Sequence, residues 1–423
     1  MKLTVFQSDK GDCLLIEGKG PTYLLVDGGM RSSFSQHVAP VLRGATGGAP
    51  LDLVYVSHID SDHISGILQL MDDTVAWRVH SYRVQRNDPP NPAPPNSPAP
   101  PDVREIWHNA FHELVGENAG PISDMLAAIA SVLSASDDEE IKLGAAGYAE
   151  LVTSTKEAIQ LSRRVGDAQL GIPLNRAFGG KLAMARPAQQ PVTVGQMSIT
   201  VVGPFEEDLD KLRQEWNEWL DDNRKALLEI ARRAREDEER LHANAIDRLI
   251  VPAVALANEL GDRKNVTTPN LASLMLLVEE DGRKVLLTGD GHADDILKGL
   301  EGRLEGGRLH VDVLKVQHHG SEHNIHEDFC NKVTADHYIF CGNGAHNNPD
   351  LAVVDLIARA RLAAAPQPFT FWFNSSSAAS DKQTNKDHMA KVEDLVSNLA
   401  LASGGTMEYR FLTAGSSIEL SLQ

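Results

Sequence analysis

Asp52-Leu53-Val54-Tyr55-Val56-Ser57-His58-Ile59-Asp60-Ser61-Asp62-His63 is the stretch on which the reading of the whole chain turns. Its first half is a short apolar run rich in β-branched residues, the pattern of a buried strand and too short to span a membrane. Its second half sets four metal-capable side chains, His58, Asp60, Asp62 and His63, within six residues. The Ile64-Ser65-Gly66-Ile67-Leu68-Gln69-Leu70 that follows has helical apolar spacing. The four therefore sit on a strand-to-helix loop, with His63 near the helix start. Such loops, at the carboxyl ends of strands, are where α/β folds place chemistry. Imidazole with carboxylate suits zinc, manganese or iron, and with no cysteine in the cluster a thiolate structural zinc site is disfavoured. The plain alternative is a polar turn with a capping Asp. It leaves unexplained why later segments supply what this cluster lacks.

Working outward, other strands end the same way. Lys2–Phe6 and Cys13–Glu17 read as a hairpin around Ser8-Asp9-Lys10-Gly11-Asp12. Thr22–Val26 stops at Asp27-Gly28-Gly29, where the glycines permit a sharp turn. Asp27 is expected to orient a metal-binding His, with a plain turn carboxylate as the alternative. Phe34–Arg43 reads as a helix and Gln196–Gly203 as a strand. Ser273–Val278 and Lys284–Leu287 form a hairpin whose second strand ends at Asp290. After a helix over Ala293–Leu304, Val311–Val316 is a buried strand ending at Gln317-His318-His319-Gly320-Ser321. Asp336–Cys341 repeats the pattern and ends near His346. A helix (Leu351–Leu362), a strand (Phe369–Phe373), a helix (Asp387–Leu401) and a final hairpin complete the chain.

A lone buried His is more often a hydrogen-bonded core residue than a ligand. Asp27, the His58–His63 cluster, Asp290, the His318-His319 pair and His346, each after a Val/Leu/Ile run, form a pattern instead. Two divalent ions need about six to eight protein ligands and a bridging carboxylate, and this inventory supplies them. Lys315 reads as a strand residue reaching solvent rather than as a phosphate clamp. Asn270, Ser273 and Ser321 are read as hydrogen-bond donors to substrate or as local caps.

The chain has 423 residues, 42% of them hydrophobic, enough for one large or two medium domains. Its formal net charge of −19 argues against passive, backbone-driven nucleic-acid binding. It leaves a nuclease open, because metal ions bring their own positive charge. Cys13, Cys330 and Cys341 form no CxxC pair and suit a reducing compartment. The first residues read as a strand and not as a signal peptide, and no apolar run is long enough for a bilayer. The expectation is a cytoplasmic protein with no membrane partner. The oligomeric state is open, a homodimer included.

Two segments break the pattern. From about Asn87 the prolines Pro89, Pro90, Pro92, Pro94, Pro95, Pro98, Pro100 and Pro101 describe an exposed polyproline or linker stretch. With helices expected at Ile106–Val115, Pro121–Leu133 and Ala145–Val165, residues 86–194 read as an insertion. Residues 206–264 read as a second, a long charged helix with a partial apolar stripe (Trp216, Trp219, Leu220, Leu227) and a mostly solvated face.

The motifs Asp27-Gly28-Gly29, His58-x-Asp60-x-Asp62-His63, Thr288-Gly289-Asp290 and the strand-end histidines resemble the metallo-β-lactamase superfamily. Asp60 replaces the second His of that superfamily's HxHxDH signature. This departure, with Leu314-Lys315-Val316-x-His318-His319-Gly320-Ser321, is similar to a narrower branch, the hydrolase domain of the ComEC DNA-uptake proteins and its stand-alone relatives. The resemblance covers about residues 1–85, 195–205 and 265–350. It implies an α/β fold, the αββα metallo-β-lactamase sandwich, as a single domain over 1–423 carrying the two mainly helical insertions. It implies two divalent ions, zinc or manganese with magnesium as an option. His58 and Asp60 would hold the first, Asp62 and His63 the second, and Asp290 would bridge. His318 would complete the second site, with His319 as the alternative. The superfamily's His before the TGD strand is missing from Thr268–Ser273, which leaves the first site short of nitrogen and favours a harder ion.

The implied activity is metal-dependent hydrolysis of a DNA phosphodiester by a metal-bound hydroxide positioned by Asp62. His319 or His346 would protonate the leaving oxygen. The other readings are a small-molecule hydrolase, of phosphodiesters, phosphorylcholine-like esters or lactones, and a regulated effector of the kind found in bacterial antiviral defence. In the latter a regulatory protein or a protease would act on the insertions.

Overall fold

The alternation in the opening strand sets the layers. Leu53 and Tyr55 face one hydrophobic cluster while Val54 and Val56 face another. Successive strand side chains point to opposite faces, so this strand is buried on both sides and lies between a helical layer and a second sheet. The computed structural model describes residues 1–109, 157–158, 160–210, 273–364 and 367–422.

The first sheet begins with β1 (Lys2–Phe6), β2 (Leu14–Gly18), β3 (Thr22–Val26), β4 (Leu53–Tyr55) and β5 (Ile106–Trp107). The second contains β6 (Val192–Val194), β7 (Met197–Gly203), β8 (Met275–Glu280), β9 (Arg283–Leu287), β10 (Leu309–Lys315), β11 (Val333–Phe340), β12 (Phe369–Phe373) and β13 (Met407–Phe411). The last strand, β14 (Ser417–Ser421), returns to the first sheet. The strand orders are β14-β1-β2-β3-β4-β5 and β13-β12-β11-β10-β9-β8-β7-β6.

Between the sheets lie Leu3, Val5, Leu24, Leu53, Tyr55, Val285, Leu287, Val313 and Ile339, all buried. On the outer face of the first sheet, residues 31–45, ending in α1 (Ala39–Ala45), and α2 (Ser61–Arg86) pack Phe34, Val38, Leu42, Ile64, Ile67 and Met71. The 3–4 spacing of the α2 residues gives it one apolar stripe. On the outer face of the second sheet lie α3 (Ala293–Leu300), α4 (Glu327–Lys332), α5 (Leu351–Ala364) and α6 (Gln383–Ala402). The four layers are helix, sheet, sheet, helix, as the αββα expectation requires.

Parallel pairing fixes where the chemistry goes. β3 and β4 are parallel, and so are β9, β10 and β11. Their carboxyl ends therefore lie side by side, and the residues just after them, Asp27, His58, Asp290, His318 and His319, meet at one mouth of the sandwich. Close backbone contact locks this end. A Cβ on Gly66 would fall 2.0 Å from Gly28 O, so only glycine lets the turn after β3 lie against the first turns of α2.

Three expectations are corrected. Ile106 and Trp107 are not helical. Val54 N and Val56 N donate to Glu105 O and Trp107 O, so they add the edge strand β5 by tertiary pairing. Residues 108–109 are not helical either, and 110–115 lie outside the described residues. The last two strands are not a hairpin, since β13 pairs with β12 and β14 with β1. The helix after Asp290 ends at Leu300, with a 3-10 turn at Glu301–Arg303. The segment 86–194 also supplies β5 and β6 to the two sheets. The expected helix over Pro121–Leu133, most of that over Ala145–Val165 and the charged stretch from 211 onward lie outside the described residues, as does Asn270. Among the described residues no helix is long and apolar enough to cross a membrane.

Candidate metal centre

Asp290 is the hub. His58 Nε2, His318 Nε2 and His319 Nε2 lie 3.5, 3.6 and 3.6 Å from its Oδ2. His63 Nε2 lies 3.5 Å from its Oδ1. Asp60 Oδ2 is 3.5 Å from His58 Nε2, and Asp62 Oδ2 is 3.3 Å from His319 Nε2. Asp60 is the N-cap residue of α2, yet its carboxylate makes no capping hydrogen bond. It is left for another task. A cleft of about 230 Å³ opens onto this group, lined by Lys10, Asp60, Asp62, Asp290, His318, His319, His346 and Asn348.

An outer ring orients the histidines. The Asp27 carboxylate accepts from Ser57 N and Ser57 Oγ, both at 2.7 Å, and stands 3.0 Å from His63 Nδ1. Ser57 Oγ, having given its proton to Asp27, accepts from His58 Nδ1 at 3.0 Å. Both rings thus turn Nε2 toward Asp290. Asp27 holds φ = 51°, a left-handed conformation that Asp tolerates better than most side chains. His319 Nδ1 reaches Cys341 O at 2.9 Å and Asp12 Oδ1 at 3.1 Å.

Asp12 was not singled out by sequence reasoning. It belongs, with His63, Asp290 and His319, to a buried group whose ligand atoms lie within 4.8 Å of one another. Its approach is to the Nδ1 side of both rings, behind the Nε2 atoms that face Asp290. Lys315 corrects the sequence reading outright. It is 1% exposed, ion-paired with Asp12, and donates to Gly289 O at 3.0 Å. A lysine inside a Val/Leu strand requires a buried carboxylate, and that was the signal pointing to Asp12.

Ser273 and Ser321 take the local alternative. Ser273 Oγ accepts from Asp290 N at 3.3 Å, and Ser321 Oγ accepts from His323 N at 3.4 Å. The resemblance left His318 and His319 as alternatives for the second site, and the structure places both near the hub. Both lie 3.6 Å from Asp290 Oδ2, but it is His319 whose Nε2 also stands 3.4 Å from His63 Nε2 and 3.3 Å from Asp62 Oδ2. His318 and His319 both hold positive φ, 43° and 55°, and this left-handed turn brings two consecutive rings to the same hub. His346, with φ = 55°, reaches the cleft.

These residues fit a divalent-ion centre. His58 Nε2 and Asp290 Oδ1 are buried with no hydrogen-bond partner, a cost a native site does not carry without cause. The gaps of 3.3–3.6 Å between imidazole nitrogens and carboxylate oxygens suit an ion held between them.

The buried charges of this group offset one another. Burial pushes the Asp12 carboxyl up, but Lys315, His63 and His319 hold it at about 2. Burial alone would strip the proton from His319, but Asp290 and Asp12 raise it to about 9. His63 is raised well above its ordinary value against burial, by Asp290, Asp12 and Asp27. Asp62 and Asp290 are held well below the carboxylate range, against burial, chiefly by His63 and by His319 respectively. Ligand nitrogens must shed their protons to bind a metal. Ion uptake is therefore expected to release protons, with apparent affinity climbing as pH rises toward 9. Calorimetric titration of Zn²⁺ at pH 7 in two buffers of different ionisation heat checks this, and equal heats would contradict it.

The family model of the metallo-beta-lactamase superfamily matches residues 9–122, which span Asp12, Asp27 and the His58–His63 cluster. That match and the αββα sandwich agree on a metallo-β-lactamase fold, and most members of that superfamily are hydrolases. The match is to the superfamily and does not reach the narrower ComEC-like branch. No curated protein matches the chain. Among solved structures, Zn²⁺-bound PqqB from Methylobacterium extorquens is similar over 100% of both chains, at 9% identity and a TM-score of 0.33.

Proposed function

We propose that the protein is a metal-dependent phosphodiesterase that cuts DNA. The observation carrying this reading is the convergence of four imidazoles and two further carboxylates on Asp290, beneath a polar, solvent-open cleft. His58, Asp60 and His318 would hold one ion with Asp290. His63, Asp62 and His319 would hold the other. His318 thereby makes good the nitrogen that the Thr268–Ser273 segment does not offer. When bound, such a pair acidifies water and neutralises charge growing on phosphoryl oxygens.

The chain's own groups do the rest. Asp62 lines the cleft and can orient an attacking water by accepting a hydrogen bond from it. His346 lines the same cleft and is the candidate to protonate the leaving oxygen. Lys10 brings positive charge to the rim and Asn348 an amide, both suited to a phosphate. The cleft is small, polar and open on one side among the described residues. An apolar pocket of about 300–1,000 Å³ would be expected for a drug-sized ester. That contrast favours a phosphodiester presented by a larger molecule over a small lactone or choline ester.

Purified protein loaded with Mn²⁺ is expected to cut single- or double-stranded DNA, at least as fast as with Zn²⁺. The hard Asp60 oxygen in place of an imidazole underlies the metal preference. If DNA stays intact while a cyclic nucleotide or a small ester is hydrolysed, the small-molecule alternative takes its place.

A further inference from the structure

One amide ties the strained histidine turn to the hub. Asn324 is buried, in the loop between Ser321 and α4. Its Nδ2 donates to Asp290 O at 2.8 Å, and its Oδ1 lies 2.7 Å from His318 Nδ1. The orientation of an amide is an assignment, but here the partners decide it. A carbonyl oxygen can only accept, so the NH₂ end faces Asp290 and the oxygen end faces His318. His318 must then donate from Nδ1–H. In the neutral ring this leaves the Nε2 lone pair as an acceptor, 3.6 Å from Asp290 Oδ2, another acceptor. Two acceptors facing one another call for a cation between them. The same loop is fixed from behind, because Ala293 N at the start of α3 donates to Asn324 O at 3.0 Å.

His318 needs such a clamp. It is the most solvent-reached of the four imidazoles, at 30% side-chain exposure, against 1% for His58 and 0% for His63. Its φ of 43° is a strained value for a residue with a Cβ. The backbone bond from His318 N to Gly289 O holds the main chain but leaves the ring free to turn.

We infer that Asn324 is a positioning residue. It fixes the tautomer and rotation of His318 so that Nε2 serves as a metal ligand opposite Asp290. Because the same amide grips the hub's own backbone, it also sets the distance between the two ligands. This rests on the two-ion reading above, and the test separates the two. Co²⁺ is titrated into the full-length protein and followed by its visible absorption bands and by calorimetry, for the native chain, Asn324→Ala and Asn324→Asp.

The native chain is expected to take two ions. Asn324→Ala should bind one of them about 10- to 100-fold more weakly, with altered absorption bands. Asn324→Asp keeps an oxygen facing Nδ1 but loses the donor to Asp290 O, so it should bind that ion more tightly than Asn324→Ala and more weakly than the native chain. A native chain that takes fewer than two ions overturns the two-ion reading and this inference together. A native chain that takes two, with Asn324→Ala indistinguishable from it, overturns the inference alone. Should Asn324→Ala not fold, imidazole ¹⁵N NMR of the Zn²⁺-loaded native chain decides. The His318 signal, assigned by its loss in His318→Gln, should carry its proton on Nδ1, and a proton on Nε2 would overturn the inference.

Discussion

Asp290→Asn is expected to abolish binding of the ion pair and to lower phosphodiester hydrolysis by about 10³-fold or more. The substitution is nearly isosteric, and the backbone N–H that donates to Ser273 Oγ is untouched. What is lost is one anionic oxygen at the point where His58, His63, His318 and His319 all converge. An amide NH₂ in that place would turn a donor toward whatever the imidazoles hold. Metal content after dialysis and turnover of a bis-aryl phosphate are the two measurements. A variant that retains two ions per chain and native turnover would remove Asp290 from the hub and the proposed function with it. Retention of one ion with partial activity would mean that the two halves of the centre work separately.

The fold and the centre were legible in the sequence to different depths. The strands around the hub could be read because each is a Val/Leu/Ile run buried on both faces. The candidate ligands could be read because they cluster in the loops just past such runs. What joins them, the parallel pairing of β3 with β4 and of β9 with β10 and β11, is not local information. It was reached only through the spacing of motifs and the resemblance that spacing carries. The edge strand β5 was misread as helix because two residues pair with β4 only through tertiary contact. The same holds for β14, which crosses to β1 in the other sheet although a short turn alone would have made a hairpin with β13.

The division of labour between His318 and His319 was beyond reach for another reason. Adjacent residues in an extended strand would point to opposite faces, but two consecutive left-handed φ values put both rings on the hub. No residue type in His318-His319-Gly320 announces that strain except the glycine after it, itself at φ = 87°. Asp12 and Lys315 were readable in principle. Each looks ordinary alone, a turn carboxylate and a strand-end lysine, and only the requirement that a buried ammonium find an anion would have coupled them.

That pair carries the second large expected effect, this time on stability. Lys315→Met is expected to destabilise the metal-free protein by about 3–5 kcal/mol, because it strands Asp12 in the interior. Burial acts to raise the Asp12 carboxyl, and Lys315 is the strongest of the groups that hold it down at about 2. Without the ammonium, His63 and His319 are the remaining counter-charges, and neither contact is as close. Asp12 would then take up a proton or draw His319 toward itself, away from Asp62. The double variant Asp12→Asn with Lys315→Met removes both charges, and it should recover most of the loss. Urea unfolding of the native chain, both single variants and the double variant in the presence of a chelator yields the coupling between the two sites. A coupling near zero would mean that the ion pair does not hold this end of the sandwich together. A large coupling, accompanied by weaker Zn²⁺ binding in Lys315→Met, would show that a charge buried behind the imidazoles sets how they present themselves at the cleft.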